Sequence, residues 1–235
     1  SPPHIIQPAR DTMVQCEGGG TSAYMIWRTN LGGAQATDDC GEVTWSDREI
    51  SSTPGCGLTR SYLVRFYVED ACGNMDSTQA TFSYIDTVPP VLPAPPNDTL
   101  VDCPPNAPGI VPLVAMDACS GGPILAFPTR VTESFSCDYY ITDKWIFMDA
   151  CGNKDSLERR IHVKDSIAPV FPTLLAGDTI YFDCDDPVPG DLPGSTDNCG
   201  SVEAGYIDVD LMVTCPSERI IERTYMSTDV CGNSS

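Results

Sequence analysis

The sequence predicts an all-β protein built from three tandem modules. Three observations support this prediction. The word Asp-Ala-Cys-Gly-Asn occurs at 70–74 and 149–153, and Asp-Val-Cys-Gly-Asn occurs at 229–233, so the copies lie 79 and 80 residues apart. Each period holds four of the 12 cysteines. Each period also holds one long run of β-branched and aromatic residues, which is typical of a strand. A fixed period of this length indicates an array of one small unit.

Recurring proline-containing linkers set the module boundaries. Residues 1–16 recur at 88–103 and, two residues longer, at 167–184. Proline stiffens a connector and cannot donate to a sheet ladder, so each copy leads from a linker into a first strand. We predict modules at 1–87, 88–166 and 167–235, arranged end to end. The third module has no counterpart of the last strand of the other two. We therefore expect the array to continue, or another molecule to supply that strand.

The strands of each module follow from residue type and alternation. The strongest strand signals lie at 62–68, 139–148 and 220–226. An aromatic residue stands four positions before the Asp of the word each time, as Phe66, Trp145 and Tyr225. Because side chains alternate along a strand, we expect these rings to point to one face and to form the core. A further strand follows the word in the first two modules, around Phe82 and Ile161.

The cysteines predict a disulfide framework. A module of about 80 residues has a marginal core, and an even number of cysteines in small modules is typical of oxidising, extracellular settings. Zinc is disfavoured because no Cys-x2-Cys pair occurs. If neighbouring strands run up and down, the first and third cysteines share one end of a module, and the second and fourth share the other. This predicts two bridges within each module: Cys16–Cys56, Cys40–Cys72, Cys103–Cys137, Cys119–Cys151, Cys184–Cys215 and Cys199–Cys231.

Charge and composition exclude several functions. The formal charge of −20 would repel nucleic acid and anionic lipid. No apolar run approaches the length that a membrane span needs, so we expect no membrane insertion. No signal peptide is visible at Ser1, and we expect a mature or excised segment.

A catalytic function is not predicted. The two histidines, His4 and His162, occupy non-equivalent positions, and no Gly-x-Ser-x-Gly or His-Glu-x-x-His motif occurs. The 33 acidic residues scatter through turns and repeat with the module, which favours a scaffold. The Asp of the word is expected to bond backbone amides of its turn, with Gly allowing a positive φ.

Two kinds of ligand or modification site are predicted at low specificity. Aspartates cluster near the module junctions, and clustered oxygens are what calcium requires, so we predict calcium ligands at Asp86, Asp165, Asp183 and Asp185. The alternative is ordinary turn capping by aspartate. Otherwise no cofactor is expected. Asn97 and Asn233 fit the N-glycosylation pattern.

The shared pattern resembles the hyalin-repeat (HYR-like) family. It consists of Asp-Asn-Cys-Gly, about thirty residues, an aromatic four positions before Asp-Ala-Cys-Gly-Asn, then a strand and Asp-Thr-x-Pro-Pro. It is especially similar to the cysteine-rich version repeated in surface adhesins of gliding bacteria and in extracellular proteins of algae and protists. Module 1 departs from the pattern in a longer second segment holding Gly18, Tyr24 and Trp27, which we predict to be a loop extension.

The resemblance implies immunoglobulin-like β-sandwich modules in an extracellular or cell-surface adhesin or filament. The expected partners are neighbouring copies of the chain or further repeats of the same chain, and surface glycans. The alternative interpretation is a glycan-binding accessory array of a secreted enzyme. A glycan array and negative-stain imaging would separate the two.

Overall fold

A computed structural model describes residues 1–16, 22–39, 41–133, 137–171, 179–181, 186–214 and 218–235, with the backbone alone at 212–214 and 218. The described chain is all-β with disulfide bridges, as the sequence predicts. Of the helices in these residues, none is long and apolar enough to cross a membrane.

The predicted segments 1–87, 88–166 and 167–235 keep the names modules 1, 2 and 3 below. Module 1 holds a four-stranded sheet. Its strands are β1 (His4–Gln7), β2 (Thr12–Gln15), β3 (Gln35–Thr37), β4 (Thr44–Pro54), β5 (Arg60–Glu69) and β6 (Met75–Ile85). The sheet order is β2-β6-β5-β4, with β2 parallel to β6 and the other pairs antiparallel. β1 pairs with β3 in a separate two-stranded sheet. The predicted first strand at Thr12 and the predicted aromatic strand around Phe66 are confirmed.

The longer second segment of module 1 contains a helix, where we predicted a loop. Helix α1 (Ser22–Thr29) is followed by a short 3₁₀ turn (Leu31–Gly33). Tyr24 and Trp27 are buried in the core beside Phe66 and Phe82. Trp27 makes an edge-on contact with Phe66 at 5.5 Å between ring centroids. The segment therefore covers one face of the sheet.

The following residues repeat this pattern in part. The strands are β7 (Thr99–Val101), β8 (Leu113–Ala115), β9 (Ile124–Ala126), β10 (Thr129–Thr132), β11 (Asp138–Met148) and β12 (Lys154–Lys164), with a 3₁₀ turn at Pro104–Asn106. β10, β11, β12 and β7 form one sheet in that order, and β8 pairs with β9. β7 runs parallel to β12, as β2 does to β6.

The last described strands form a long antiparallel hairpin. They are β13 (Val202–Thr214) and β14 (Glu218–Asp229). Ser227 and Ser235 exchange two backbone hydrogen bonds of 3.0 Å across the turn that holds the last copy of the word. Thr179 to Tyr181, part of a predicted first strand, are not in a strand.

The predicted core residues are largely confirmed. Phe66, Phe82, Trp145 and Ile161 are all buried, and Tyr225 is partly buried. By its contacts the chain divides into two compact units, each of which joins parts of neighbouring modules. Unit 1 comprises Ser1–Pro95, Val111–Pro128 and Lys144–Leu157, and unit 2 comprises Pro96–Ile110, Thr129–Asp143 and Glu158–Ser235.

Candidate functional site: the junctions between modules

The five-residue word folds into the same tight turn, here called the corner, in all three copies. At residues 149–153, Asp149 Oδ1 accepts hydrogen bonds from the amides of Cys151, at 2.8 Å, and Asn153, at 2.9 Å. Asn153 Nδ2 donates to Asp149 Oδ2 at 2.8 Å. Gly152 has φ of 90°, a backbone region that favours glycine. The predicted role of this aspartate is confirmed, and the corner fixes the position of the fourth cysteine.

Each corner cysteine of modules 2 and 3 is bonded to the third cysteine of the preceding module. The two bridges are Cys56–Cys151 and Cys137–Cys231, with sequence separations of 95 and 94 residues. A third bridge, Cys103–Cys199, joins a first cysteine to a second cysteine 96 residues later. These separations exceed the 79- and 80-residue spacings of the word. Each bridge therefore crosses a junction between modules.

The predicted pairing within modules is wrong for Cys16–Cys56, Cys103–Cys137, Cys119–Cys151 and Cys199–Cys231. The strand argument placed the ends correctly. Arg60, just after Cys56, pairs with Tyr84, and the amide of Cys16 bonds Ile85 O at 2.8 Å. Cys16 and Cys56 therefore lie at the exit end of module 1. The error was to pair the two cysteines that share one end of a module. The first and third cysteines, at the exit end of one module, instead lie against the second and fourth cysteines of the next module.

The other predicted pairs involve residues that are not described. Cys40, Cys184 and Cys215 lie outside the described residues, and with them the predicted pairs Cys40–Cys72 and Cys184–Cys215. Cys72 itself is an exposed free thiol. Cys16 and Cys119 are both buried, and the thiol of Cys119 lies against the carbonyl oxygen of Cys16. By position in their modules they correspond to the bonded pair Cys103 and Cys199.

The backbone is tightly packed where module 1 meets the second-cysteine turn of module 2. The amide of Leu58 donates to Cys119 O at 2.7 Å. At Gly57, with φ of 55°, a Cβ would stand directly against that same oxygen. A side chain at this position would clash with the backbone of Cys119. Glycine therefore permits the close approach that brings Cys56 to Cys151.

Three carboxylates converge at the junction of modules 1 and 2. Asp86 comes from the exit of module 1, and Asp117 and Asp149 come from the second- and fourth-cysteine turns of module 2. One oxygen from each lies within 4.8 Å of the others. At the next junction, the counterpart Asp165 lies within the same distance of Asp197 and Cys199, and likewise of Asp229 and Cys231. Acidic residues thus meet at both junctions, as three carboxylates at the first and as two pairs that share Asp165 at the second, where Cys199 and Cys231 are disulfide-bonded.

The exit aspartate of each cluster has one carboxylate oxygen that accepts no hydrogen bond. Asp86 Oδ2 and Asp165 Oδ2 are buried without a hydrogen-bond partner. Burial raises the pKa of both carboxyls above the ordinary value, and the neighbouring carboxylates raise it further. For Asp86 these neighbours are Asp117 and Asp149. The folded state therefore favours protonation of these carboxyls, or a cation, at the junctions.

The clusters fit the donor chemistry of a divalent cation in part. Oxygens around one calcium ion lie about 2.3–2.6 Å from it, so ligands separated by less than about 5 Å can share one ion. Two predicted ligands, Asp86 and Asp165, are cluster members, and Asp183 and Asp185 lie outside the described residues. The entry aspartates Asp11 and Asp98 instead accept bonds of 2.7 Å from the amides of Thr81 and Arg160. Of the four predicted calcium ligands, Asp86 and Asp165 therefore remain as candidates, each in one of the two clusters.

The two glycosylation candidates differ in accessibility. Asn97 is exposed. Asn233 is partly buried, and its side-chain nitrogen donates to Asp229 Oδ2 at 2.9 Å and to Asp165 O at 3.5 Å. A glycan would be attached at that nitrogen, which already donates these two hydrogen bonds. The geometry favours Asn97 as the acceptor.

The sequence analysis missed a buried ionic cluster within unit 2. Asp143, on β11, is fully buried. Arg130 donates to its two oxygens at 2.6 and 2.9 Å, and Arg159 donates to Oδ2 at 2.5 and 3.1 Å. Burial alone would raise the pKa of Asp143, but the hydrogen bonds and charges of the two arginines lower it. Val64 and Ala80 occupy the corresponding positions of module 1, so alignment of the repeats could have indicated the cluster.

Comparison with known proteins does not assign a family. No protein-family model matches the sequence, and no curated protein matches it. Among solved structures, the crystal structure of Drosophila N-cadherin EC1-4 is similar, with 10% identity and a TM-score of 0.31. The match covers 70% of this chain and 50% of that chain, so it spans about half of the cadherin fragment. The resemblance to hyalin repeats remains a prediction.

Proposed function

We propose that the chain is a segment that withstands tension within an extracellular adhesive or structural array of tandem modules. The observation that carries the proposal is the connectivity Cys56–Cys151 and Cys137–Cys231. Bridges within modules stabilise each module alone, whereas bridges across junctions transmit tension covalently from one module to the next. Such a framework suits a chain that is pulled at its ends.

Charge and redox chemistry support the extracellular setting. Disulfides persist in oxidising compartments. A net charge of −20 keeps an extended surface protein soluble and disfavours binding to nucleic acid and anionic lipid. The proposed partners are therefore further modules of the same kind and surface glycans, not nucleic acid or the interior of a membrane.

Immunogold labelling of intact, unpermeabilised source cells tests the proposed function. We expect label outside the cell, and we expect deletion of the coding segment to reduce attachment of cells to a surface. Label found only after permeabilisation would contradict the proposal. A glycan array run on the purified chain addresses the alternative, a glycan-binding accessory array of a secreted enzyme, which requires specific glycan binding.

A further inference from the structure

The first copy of the word, here called corner one (residues 70–74), is much more exposed than its two counterparts. Asp149 and Asp229 are only 5% and 7% exposed, whereas Asp70 is only partly buried. Cys72 is exposed, while the equivalent Cys151 is half-buried. The difference lies in what covers the corner, because the three copies have almost the same sequence.

The covering groups at the other two corners come from the preceding module. Each corner cysteine is bonded to the third cysteine of that module. The asparagine of each corner also donates to the carbonyl oxygen of that module's exit aspartate. Asn153 reaches Asp86 O at 3.3 Å, and Asn233 reaches Asp165 O at 3.5 Å. At these two corners, the group that binds the corner is therefore the exit end of the preceding module.

Corner one has the same internal geometry, and among the described residues no disulfide or hydrogen bond from another module reaches it. Asp70 Oδ1 accepts from the amides of Cys72 at 2.8 Å and Asn74 at 2.9 Å, and Asn74 Nδ2 donates to Asp70 Oδ2 at 2.8 Å. Gly73 has φ of 85°, close to the 90° of Gly152. Binding would therefore require no rearrangement of this turn.

The carboxylates of module 1 fit the same arrangement. Module 2 contributes Asp117 and Asp149 to the acidic cluster, and the preceding module contributes Asp86. By position in the repeat, Asp38 and Asp70 are the module 1 counterparts of Asp117 and Asp149. Module 1 thus carries the two residues that a following module supplies to a junction.

We infer that corner one binds the exit end of another module of this class, and that Cys72 forms a disulfide with the third cysteine of that module. The two thiols lose two protons and two electrons as the S–S bond forms. A disulfide oxidant such as oxidised glutathione accepts the electrons and is reduced to two thiols. The inference uses the junction-crossing connectivity and does not depend on an adhesive role.

A lengthened chain tests the inference. Residues 88–166 are duplicated in front of Ser1, so that an added module precedes module 1 with the natural spacing. The protein is refolded in a glutathione redox buffer, its remaining thiols are alkylated, and non-reducing peptides are mapped by mass spectrometry. We expect Cys137 of the added copy to be linked to Cys72, and alkylation of Cys72 to fall at least tenfold relative to the unextended chain.

Two controls keep the test decisive. The Cys56–Cys151 peptide reports that the original chain is folded, and the Cys72→Ser variant should leave the added cysteine open to alkylation. If Cys72 is still alkylated in full while Cys56–Cys151 is intact, the inference is wrong. That outcome would leave the proposed function standing, because the bridges at the described junctions would be unchanged.

Discussion

When the oxidised chain is pulled by its two ends, the bridges that cross the junctions should limit it to a short maximum extension. With the described bridges intact, the shortest covalent path runs from the first residue to Cys56, back from Cys151 to Cys137, and from Cys231 to the last residue. These spans are 55, 14 and 4 residues. At about 3.5 Å per extended residue, this path of about 73 residues reaches about 260 Å.

Other pairings give different lengths. Bridges within modules would leave a path of about 130 residues, or about 460 Å, and the fully reduced chain of about 234 peptide units would reach about 820 Å. A further bridge between Cys16 and Cys119 would shorten the path to about 37 residues, or about 130 Å. The crossing pattern therefore predicts an extension of about 260 Å or less before reduction.

Single-molecule force spectroscopy with handles at both termini measures these lengths, and one substitution sharpens the result. Cys137→Ser breaks the bridge to Cys231 and should roughly double the maximum extension, because the path must then bypass that shortcut. Under the within-module pairing, the same substitution lengthens the shortest path by only about two residues, because Cys119–Cys151 replaces the lost bridge. Cys72→Ser is the matched control and should have no effect. An oxidised chain that extends to about 460 Å and is insensitive to Cys137→Ser would refute the reasoning.

Two further predictions concern charge. Because the raised pKa of Asp86 lets the folded state hold a proton that the unfolded chain releases, stability should fall as pH rises from the ordinary aspartate range through that raised pKa. Added calcium should therefore raise the Tm at pH 7. Asp86→Asn should raise the Tm without calcium and reduce the increase in Tm that calcium causes. A Tm unaffected by calcium or by a chelator would dismiss this site. Replacing Asp143 by Val removes the carboxylate that neutralises the buried Arg159, so the free energy of unfolding in urea should fall by about 3–5 kcal/mol. The double change Asp143→Val with Arg159→Ala, which copies Val64 and Ala80 of module 1, should recover part of that loss, and an equal loss in both variants would contradict the ionic account.

Local patterns in the sequence predicted the strands and the corner accurately. Alternation placed Phe66 and Trp145 in the core, and the composition of the word placed a tight turn with glycine at positive φ. These features depend on residues close together in the chain. They could be derived because each module repeats the same short-range pattern.

Long-range partners were harder to predict. The strand argument identified the end of the module at which Cys56 lies, but it could not indicate that the partner at that end belongs to the next module. The helix around Trp27 was missed because its eight residues follow a glycine run, and apolar packing rather than local propensity places it. Asp143 was missed because its own strand gives no sign of Arg130 and Arg159, which come from other strands, and the repeats were not aligned position by position.

Non-reducing peptide mapping of the native 235-residue chain tests the central claim most directly. We predict linked peptides for Cys56–Cys151, Cys103–Cys199 and Cys137–Cys231, and by repeat equivalence for Cys16–Cys119. Each of these links joins consecutive modules. Linked peptides for Cys103–Cys137 or Cys119–Cys151 would instead place the bridges within modules and contradict the account of the junctions.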